Sequence, residues 1–283
     1  MKKRKNTGSS QEKEMSFLEH LEELRWHLIR STLAVLVLAL LAFVFKRFIF
    51  DVLIFGPSRS DFLTYTTFCN LSRSLGMESF CFQEMPFSIQ SRRMAGQFST
   101  HLWTSIYAGI IVGFPYILYE FWRFISPGLK ENERKTSRGF IVIASILFFL
   151  GVLFGYYLIT PLTINFLGNY QVSEQVMNQF DLESYISVVR TSVLASGIIF
   201  ELPIIMYILT KVGIVTPEIL RKYRKISIVL ILVLSAAITP PDVASQVIVA
   251  IPILILYEIS IYISKFVINK EKRKSAAHVE PGE

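Results

Sequence analysis

Residues 185–209 read YISVVRTSVLASGIIFELPIIMYIL, a run in which most side chains are apolar. At ~1.5 Å rise per residue, a helix of this length crosses the ~30 Å hydrocarbon core of a bilayer. Glu201 interrupts the run. A charged side chain near the centre of a spanning helix costs at least ~2.5–3.5 kcal/mol on insertion scales, so an acid kept at this depth is a candidate functional group.

The composition of the whole chain indicates an integral membrane protein. Of its 283 residues 52% are hydrophobic, and the mean hydropathy of +0.47 is too high for an ordinary soluble domain. The net charge of +7 does not indicate nucleic acid, because the basic residues flank apolar blocks. The charged residues 1–14 are not followed by a short apolar region with a cleavage site, so we expect no cleavable signal peptide.

Six apolar segments are expected to span the membrane as helices. The predicted spans are residues 28–50, 102–124, 140–164, 185–209, 226–239 and 243–263. The fifth reaches only ~21 Å as a helix, so it needs a thinner bilayer or shielding by its neighbours. The turn Pro240-Pro241-Asp242 follows at once, so we expect the short fifth and sixth helices to form a hairpin. The six predicted spans together indicate an all-α membrane protein.

The distribution of basic residues predicts the orientation. They concentrate in the N-terminal arm and after the second, fourth and sixth spans, which share one side of the membrane if six spans are present. The positive-inside rule then places both termini in the cytoplasm. The outer loop at residues 51–100 holds four arginines but is long enough for its charges to count less. We expect a disordered basic arm at 1–15, a six-helix domain at 16–266 and a charged tail at 267–283.

The cytoplasmic stretch 16–28, SFLEHLEELRWHL, has apolar residues at helical spacing. Ser16 and Glu19 form a plausible capping box, and the helix is predicted to lie along the inner membrane surface before the first span. Glu23 places an acid on the otherwise basic side. From composition alone, a solvated helix face with local ion pairs is the simpler explanation for it.

A second acidic position follows the second span, where Pro127-Gly128 breaks the helix. Glu131 and Glu133 lie beyond this break, and balancing nearby lysines and arginines is their simplest role. Two acidic positions on one membrane face could also bind a dibasic peptide together. Such a site would select arginine over lysine, because the planar guanidinium pairs bidentately with a carboxylate.

Arg190 is the other charged residue inside the fourth span. It precedes Glu201 by eleven residues, close to three helical turns, so both fall on one stripe ~16 Å apart and are expected to face protein or a wet cavity. A snorkelling side chain at the outer end of the span explains Arg190 equally well.

The remaining reactive residues carry little information. Cys69 and Cys81 share one polar loop, where a disulfide and two unpaired thiols both remain open. His20 and His27 lie on one helix without a metal-ligand set, and incidental interfacial histidines are the simpler interpretation. No catalytic or metal-binding motif is found, so we predict no enzyme, no cofactor and no metal.

Several ordered motifs nevertheless resemble those of the TatC family, the polytopic core of the twin-arginine protein translocase. They are His20 to Arg25; Phe114-Pro115 through Tyr119, with Phe124 and Pro127-Gly128-Leu129; Glu133-Arg134; Phe200 to Pro203; and Thr239 to Asp242, with Gln246, Pro252 and Tyr257-Glu258. The resemblance covers residues 16–266 and is poorest at residues 61–86. It also leaves the role of Arg190 open, since many relatives have an apolar residue there.

The resemblance implies a receptor that binds folded cargo through its twin-arginine signal peptide, without ATP at this protein and driven by the proton-motive force. It implies signal-peptide binding by Glu23, Arg25, Phe124, Glu133 and Arg134. Glu201 would face single-span partners of the TatA/TatB type. We expect secondary or structural roles for Pro127, Arg190, Asp242 and Glu258.

This interpretation predicts a multi-pass protein of the cytoplasmic (inner) membrane, in contact with lipid and part of homo- and hetero-oligomers. A rival hypothesis is a secondary transporter of a small solute or proton, with Glu201 as the titrating group. An intramembrane enzyme is a third, but it lacks a catalytic constellation.

Overall fold

The computed structural model describes residues 17–74, 76, 87–125, 137–173, 175–239 and 242–279. The helices are α1 (Phe17–Val44), α2 (Leu63–Ser74), α3 (Gly96–Ile125), α4 (Ser137–Phe154), α5 (Thr160–Asn169), α6 (Leu182–Ile199), α7 (Leu202–Lys211), α8 (Pro217–Lys222), α9 (Arg224–Ile238) and α10 (Val243–Val279). Short π-helical segments at Phe48–Ile54 and Gly155–Ile159 and a 3-10 turn at Gly56–Ser58 lie between them. The all-α prediction is confirmed.

Within the described residues, five helical stretches are long and apolar enough to cross a membrane. They are Leu21–Val44, Gly96–Ile125, Gly139–Asn169, Leu182–Lys211 and Ser245–Lys270. They coincide with the predicted first four spans and the sixth. The predicted fifth span is helix α9, whose 15 residues reach only ~22 Å. Its shortness agrees with the sequence prediction.

Helix α1 runs without a break from Phe17 to Val44. The prediction of a separate surface helix at residues 16–28 is therefore wrong. The physical reason is local: this segment contains neither glycine nor proline, so nothing interrupts the backbone hydrogen bonding at the membrane boundary. Glu23 thus projects from the N-terminal part of a helix that continues into the first span.

Helix α10 is 37 residues long, which corrects the prediction of a short sixth helix. At ~1.5 Å per residue it extends ~55 Å, well beyond the apolar core. Residues 264–279 lack glycine and proline and are rich in lysine and alanine, which favour helix. The predicted charged tail therefore begins as a continuation of α10, while the predicted disordered arm at 1–15 lies outside the described residues.

Helices α4 and α6 pack with their backbones nearly touching. A Cβ atom added to Gly151 would lie 2.5 Å from the Ser196 carbonyl oxygen, and one added to Gly155 would lie 2.6 Å from the Ser192 carbonyl oxygen. Small residues allow this close approach between membrane helices. The contact fixes the N-terminal half of the fourth span against the third.

The fourth span is two helices rather than the single helix predicted, because it breaks at Phe200 and Glu201. Helix α6 ends at Ile199 and α7 begins at Leu202. Pro203 has no N–H to donate to the carbonyl of Ile199, so the helical ladder is interrupted. Glu201 is the residue at which α7 starts, and the predicted straight stripe shared with Arg190 does not continue through the break.

The segments that follow the first and third spans are tied together. Strand β1 (Ser88–Gln90) pairs in parallel with β2 (Gln179–Asp181), which the sequence did not predict. Beside the strands, Arg93 forms an ion pair with Glu183 at 3.0 Å. The Tyr65 hydroxyl donates to the carbonyls of Pro57 and Pro161 at 3.0 and 2.9 Å, and burial raises the pKa of Tyr65.

Candidate functional site

A buried acid–imidazole pair joins α1 to α3. His27 of α1 is 6% exposed and Glu120 of α3 is 2% exposed. Nδ1 of His27 lies 2.5 Å from Oε2 of Glu120. The hydroxyl of Tyr116, one turn earlier on α3, also hydrogen-bonds Glu120. The pair satisfies a carboxylate that would be costly to bury alone.

Glu23 lies one helical turn before His27 on the same face of α1. Its Oε1 is 3.9 Å from Nε2 of His27, and the side chain is one-third exposed. Its second oxygen, Oε2, is buried and has no hydrogen-bond partner among the described residues. An ionised carboxylate accepts at both oxygens, so Glu23 keeps free acceptor capacity for a cationic donor.

Phe124 completes the surroundings of His27. It follows Glu120 by one turn of α3, and its ring lies 6.2 Å from the His27 ring in an edge-on arrangement. Glu23 and Phe124, which sequence reasoning assigned to one site, therefore contact the same imidazole from two helices.

A cavity of about 380 Å³ opens beside this imidazole. It is lined by Glu23, Trp26, His27, Arg30 and Arg123. The cavity therefore presents a carboxylate and an exposed indole to an incoming cation, with two arginines at its border. Arg25 is exposed on α1 and lies off this stripe.

Three predicted site residues cannot be placed in this geometry. Pro127, Glu133 and Arg134 lie outside the described residues. Their assignment to the site stays a prediction.

Glu201 occupies the break in the fourth span. It is 8% exposed, its Oε1 is buried without a hydrogen-bond partner among the described residues, and its side chain does not cap α7. A buried polar atom left unsatisfied is costly, so such an atom calls for an explanation. A partner that donates a hydrogen bond at this depth would remove the cost.

Arg190 contacts another helix of the protein. This agrees with the expectation that it faces protein or a wet cavity. Its guanidinium carbon lies 4.8 Å from the ring centroid of Tyr107 on α3, a cation–π geometry. Arg190 is half-buried. It therefore links α6 to α3.

Asp242 and Glu258 have structural contacts in the C-terminal hairpin. The Ser245 N–H donates to Oδ2 of Asp242 at 2.8 Å, which caps α10. Oε1 of Glu258 pairs with Arg224 of α9 at 2.7 Å, and both side chains are partly exposed. These contacts hold α9 against α10.

Cys69 lies half-buried on α2 and is disulfide-bonded. The only other cysteine of the chain, Cys81, lies outside the described residues. The pairing of these two residues stays a prediction.

Sequence reasoning missed two residues of the site. His27 was interpreted as an incidental interfacial histidine, but it is buried and holds Glu120. Glu120 received no role, although it lies inside an apolar run as Glu201 does. The rule that singled out Glu201, an acid within a spanning segment, applied equally to Glu120.

The long apolar helices and the acids buried among them define a polytopic helical membrane protein with a carboxylate-bearing cavity at one end. Residues 19–252 match the family of Sec-independent protein translocase protein TatC. The chain belongs to the TatC family.

Similar proteins cover nearly the whole chain. The TatC protein of Blattabacterium sp. subsp. Periplaneta americana is 44% identical over 265 residues, which is 93% of this chain and 99% of that protein. The TatC protein of Aquifex aeolicus is 35% identical over 259 residues, covering 91% and 98%.

Solved structures agree with this assignment. A crystal structure of the twin-arginine translocase receptor TatC is 34% identical and covers 88% of this chain and 99% of its own, with a TM-score of 0.64. A second crystal structure of such a receptor, in DDM, gives a TM-score of 0.66 over 87% of this chain and 99% of its own.

Proposed function

We propose that this chain is the twin-arginine translocase subunit that recognises twin-arginine signal peptides and helps to export folded proteins across the cytoplasmic membrane. The observation that carries the proposal is the Glu23 carboxylate, which borders a cavity between α1 and α3. One of its oxygens is buried and has no hydrogen-bond partner in the part of the chain that the structure describes. Membership of the TatC family supplies the context. The protein acts as a non-enzymatic transport component, without ATP, and draws on the proton-motive force.

The proposed topology has six spans, with α9 as the short fifth. An even number of spans places both termini on the same side, and the concentration of basic residues at both termini favours the cytoplasm. The chain would then present Glu23 and the connection after α3 to cytoplasmic precursors. The contact of α9 with α10 shields a helix too short to cross the core unaided.

Recognition of the two arginines would use two carboxylates. Glu23 binds one guanidinium and Glu133 the other, because a bidentate carboxylate pairs better with arginine than with lysine. Phe124 supports the apolar part of the peptide, and Arg25 and Arg134 flank the site. Pro127, which cannot donate a backbone hydrogen bond, keeps its predicted role as a helix breaker between the second span and Glu133.

Glu201 would bind the partner helix. Its unsatisfied Oε1 in the break between α6 and α7 suits a polar side chain on a single-span protein of the TatA/TatB type. A hydrogen bond made at this depth avoids competition from water. The chain therefore works within homo- and hetero-oligomers, surrounded by lipid.

The test is crosslinking of a twin-arginine signal peptide to the full-length protein in native membranes, with a lysine–lysine peptide as reference. The double variant E23A/E133A should lose the arginine-dependent crosslink. E258Q, which removes a charge from the α9–α10 ion pair, is the matched control and should keep it. An intact arginine-dependent crosslink in E23A/E133A would refute the site.

A further inference from the structure

His27 contacts two carboxylates very unequally. Nδ1 lies 2.5 Å from Glu120, whereas Nε2 lies 3.9 Å from Glu23. The first contact is buried and closely bonded, while the second is long and borders the cavity. The ring is therefore anchored on α3 and reaches loosely toward the residue that the proposed function assigns to a signal arginine.

We propose that His27, anchored by Glu120, occupies the Glu23 carboxylate as an internal cation until a signal arginine displaces it, and so sets the affinity threshold of the site. The proposal rests on the proposed function, because it assumes that Glu23 receives an arginine. It assigns a new role to His27 and Glu120 in the same site.

The chemistry of imidazole makes this role depend on protonation. A neutral ring carries one N–H, and a charged ring carries two. While Nδ1–H is donated to Glu120, only the charged ring can donate through Nε2 to Glu23. The internal cation therefore exists only when His27 carries both ring protons.

The groups around His27 come from two helices. Glu23 and Arg30 face it from α1, and Tyr116, Glu120 and Arg123 lie on α3. The ring of Phe124 lies edge-on to it, with the ring centroids 6.2 Å apart. Because Glu120 holds Nδ1 at 2.5 Å, the contact of Nε2 with Glu23 is lost by competition or by loss of the proton.

The unequal contacts also set the affinity that a peptide must reach. A guanidinium offers two parallel N–H groups to one carboxylate and outcompetes a single contact of 3.9 Å. An ammonium group offers a point charge without this fork and so binds the carboxylate less strongly. Displacing the imidazole lowers the affinity for both peptides by the same factor, so His27 keeps the weaker lysine peptide below useful affinity while the arginine peptide still binds.

The experiment measures the affinity of purified full-length protein in detergent for fluorescent arginine–arginine and lysine–lysine signal peptides at a series of pH values. Wild type should prefer the arginine peptide and bind it more weakly as the pH falls. H27Q should bind both peptides more tightly, by about two- to fivefold for each, and lose the pH dependence. E120Q should also raise the affinity for both peptides, but by a smaller factor, because it weakens the contact of Glu120 with His27.

Two controls separate competition from structural damage. H101Q alters the histidine at the opposite end of the same helix pair, where Nε2 of His101 lies 3.1 Å from the Phe43 carbonyl oxygen, and should leave affinity and pH slope unchanged. In an E23A background, H27Q should have no further effect, since the carboxylate it competes for is gone.

Misfolding lowers the affinity for signal peptide, so a higher affinity of H27Q cannot result from structural damage. An affinity in H27Q equal to or below that of wild type, or an unchanged pH slope, would overturn the proposal. If wild type itself does not distinguish the arginine from the lysine peptide, the proposed function fails instead.

Discussion

The guanidinium of Arg190 lies over the ring of Tyr107, 4.8 Å from its centroid, and joins α6 to α3. The N-terminal half of the fourth span is thereby attached to two neighbours, because α6 also packs closely on α4. The face of the Tyr107 ring accommodates the charge of Arg190. No ion pair between Arg190 and an acid is seen among the described residues.

The first prediction concerns this contact. R190L and Y107L should each lower stability, and the coupling between the two sites in a double-mutant cycle should be about 0.5–2 kcal/mol. R190K should recover part of the coupling, because lysine keeps the charge and loses the planar stacking. Thermal unfolding in detergent measures these effects. Strict additivity of the two single changes would show that the contact contributes nothing.

The second prediction concerns the α4–α6 contact. G151A should destabilise the protein by about 1–3 kcal/mol, because its new Cβ meets the Ser196 carbonyl oxygen and must push the helices apart. G139A on the same helix is the matched control, since a Cβ there meets nothing within 4 Å. It should stabilise the helix by up to about 1 kcal/mol. Equal unfolding temperatures for the two variants would contradict the close packing.

The third prediction separates the effect of Glu201 on folding from its effect on partner binding. E201L should leave folding intact or improve it, because the variant removes a buried polar atom without a partner among the described residues. The same change should reduce co-purification of single-span partners from native membranes, whereas E201Q should retain more of it through its amide. E258Q serves as the reference acid change. Full recovery of the partners with E201L would exclude Glu201 from the partner site.

The fourth prediction concerns pH and the start of α8. Hydrogen bonds from its own backbone N–H and from the Thr216 hydroxyl hold the pKa of Glu218 below its usual value. A lowered pKa in the folded state adds stability above the unfolded pKa and loses it as the pH falls through the folded value. E218Q should therefore be slightly less stable than wild type at neutral pH, and the difference should vanish on acidification. Chemical denaturation at neutral and acid pH tests this, with E22Q on exposed α1 as the control.

The spans were predictable because hydrophobic length is a local property of the chain. The run at 185–209 and the other long runs appear as helices in the structure, and the short α9 lies where a short span was expected. The ends of helices were less predictable. Residues 16–28 and 264–279 change from apolar to charged without a helix breaker, so composition suggested boundaries where the backbone has none.

The candidate site was predictable only in part. Its motifs pointed to Glu23 and Phe124, but they did not reveal what lies between the two residues. The contact of His27 with Glu120 joins residues 93 positions apart. Spacing within one helix carries no information about such a pair, which depends on how α1 packs against α3.

The amino-acid order alone thus determined that this chain crosses a membrane repeatedly, where its apolar runs lie, and that acids lie on the basic side and at membrane depth. The packing of the helices decided that one imidazole would reach two carboxylates and that Arg190 would lie over the ring of Tyr107. The physical reason is that transfer of apolar residues into lipid depends on each segment by itself. The pairing of a buried polar group depends on which distant segment packs beside it.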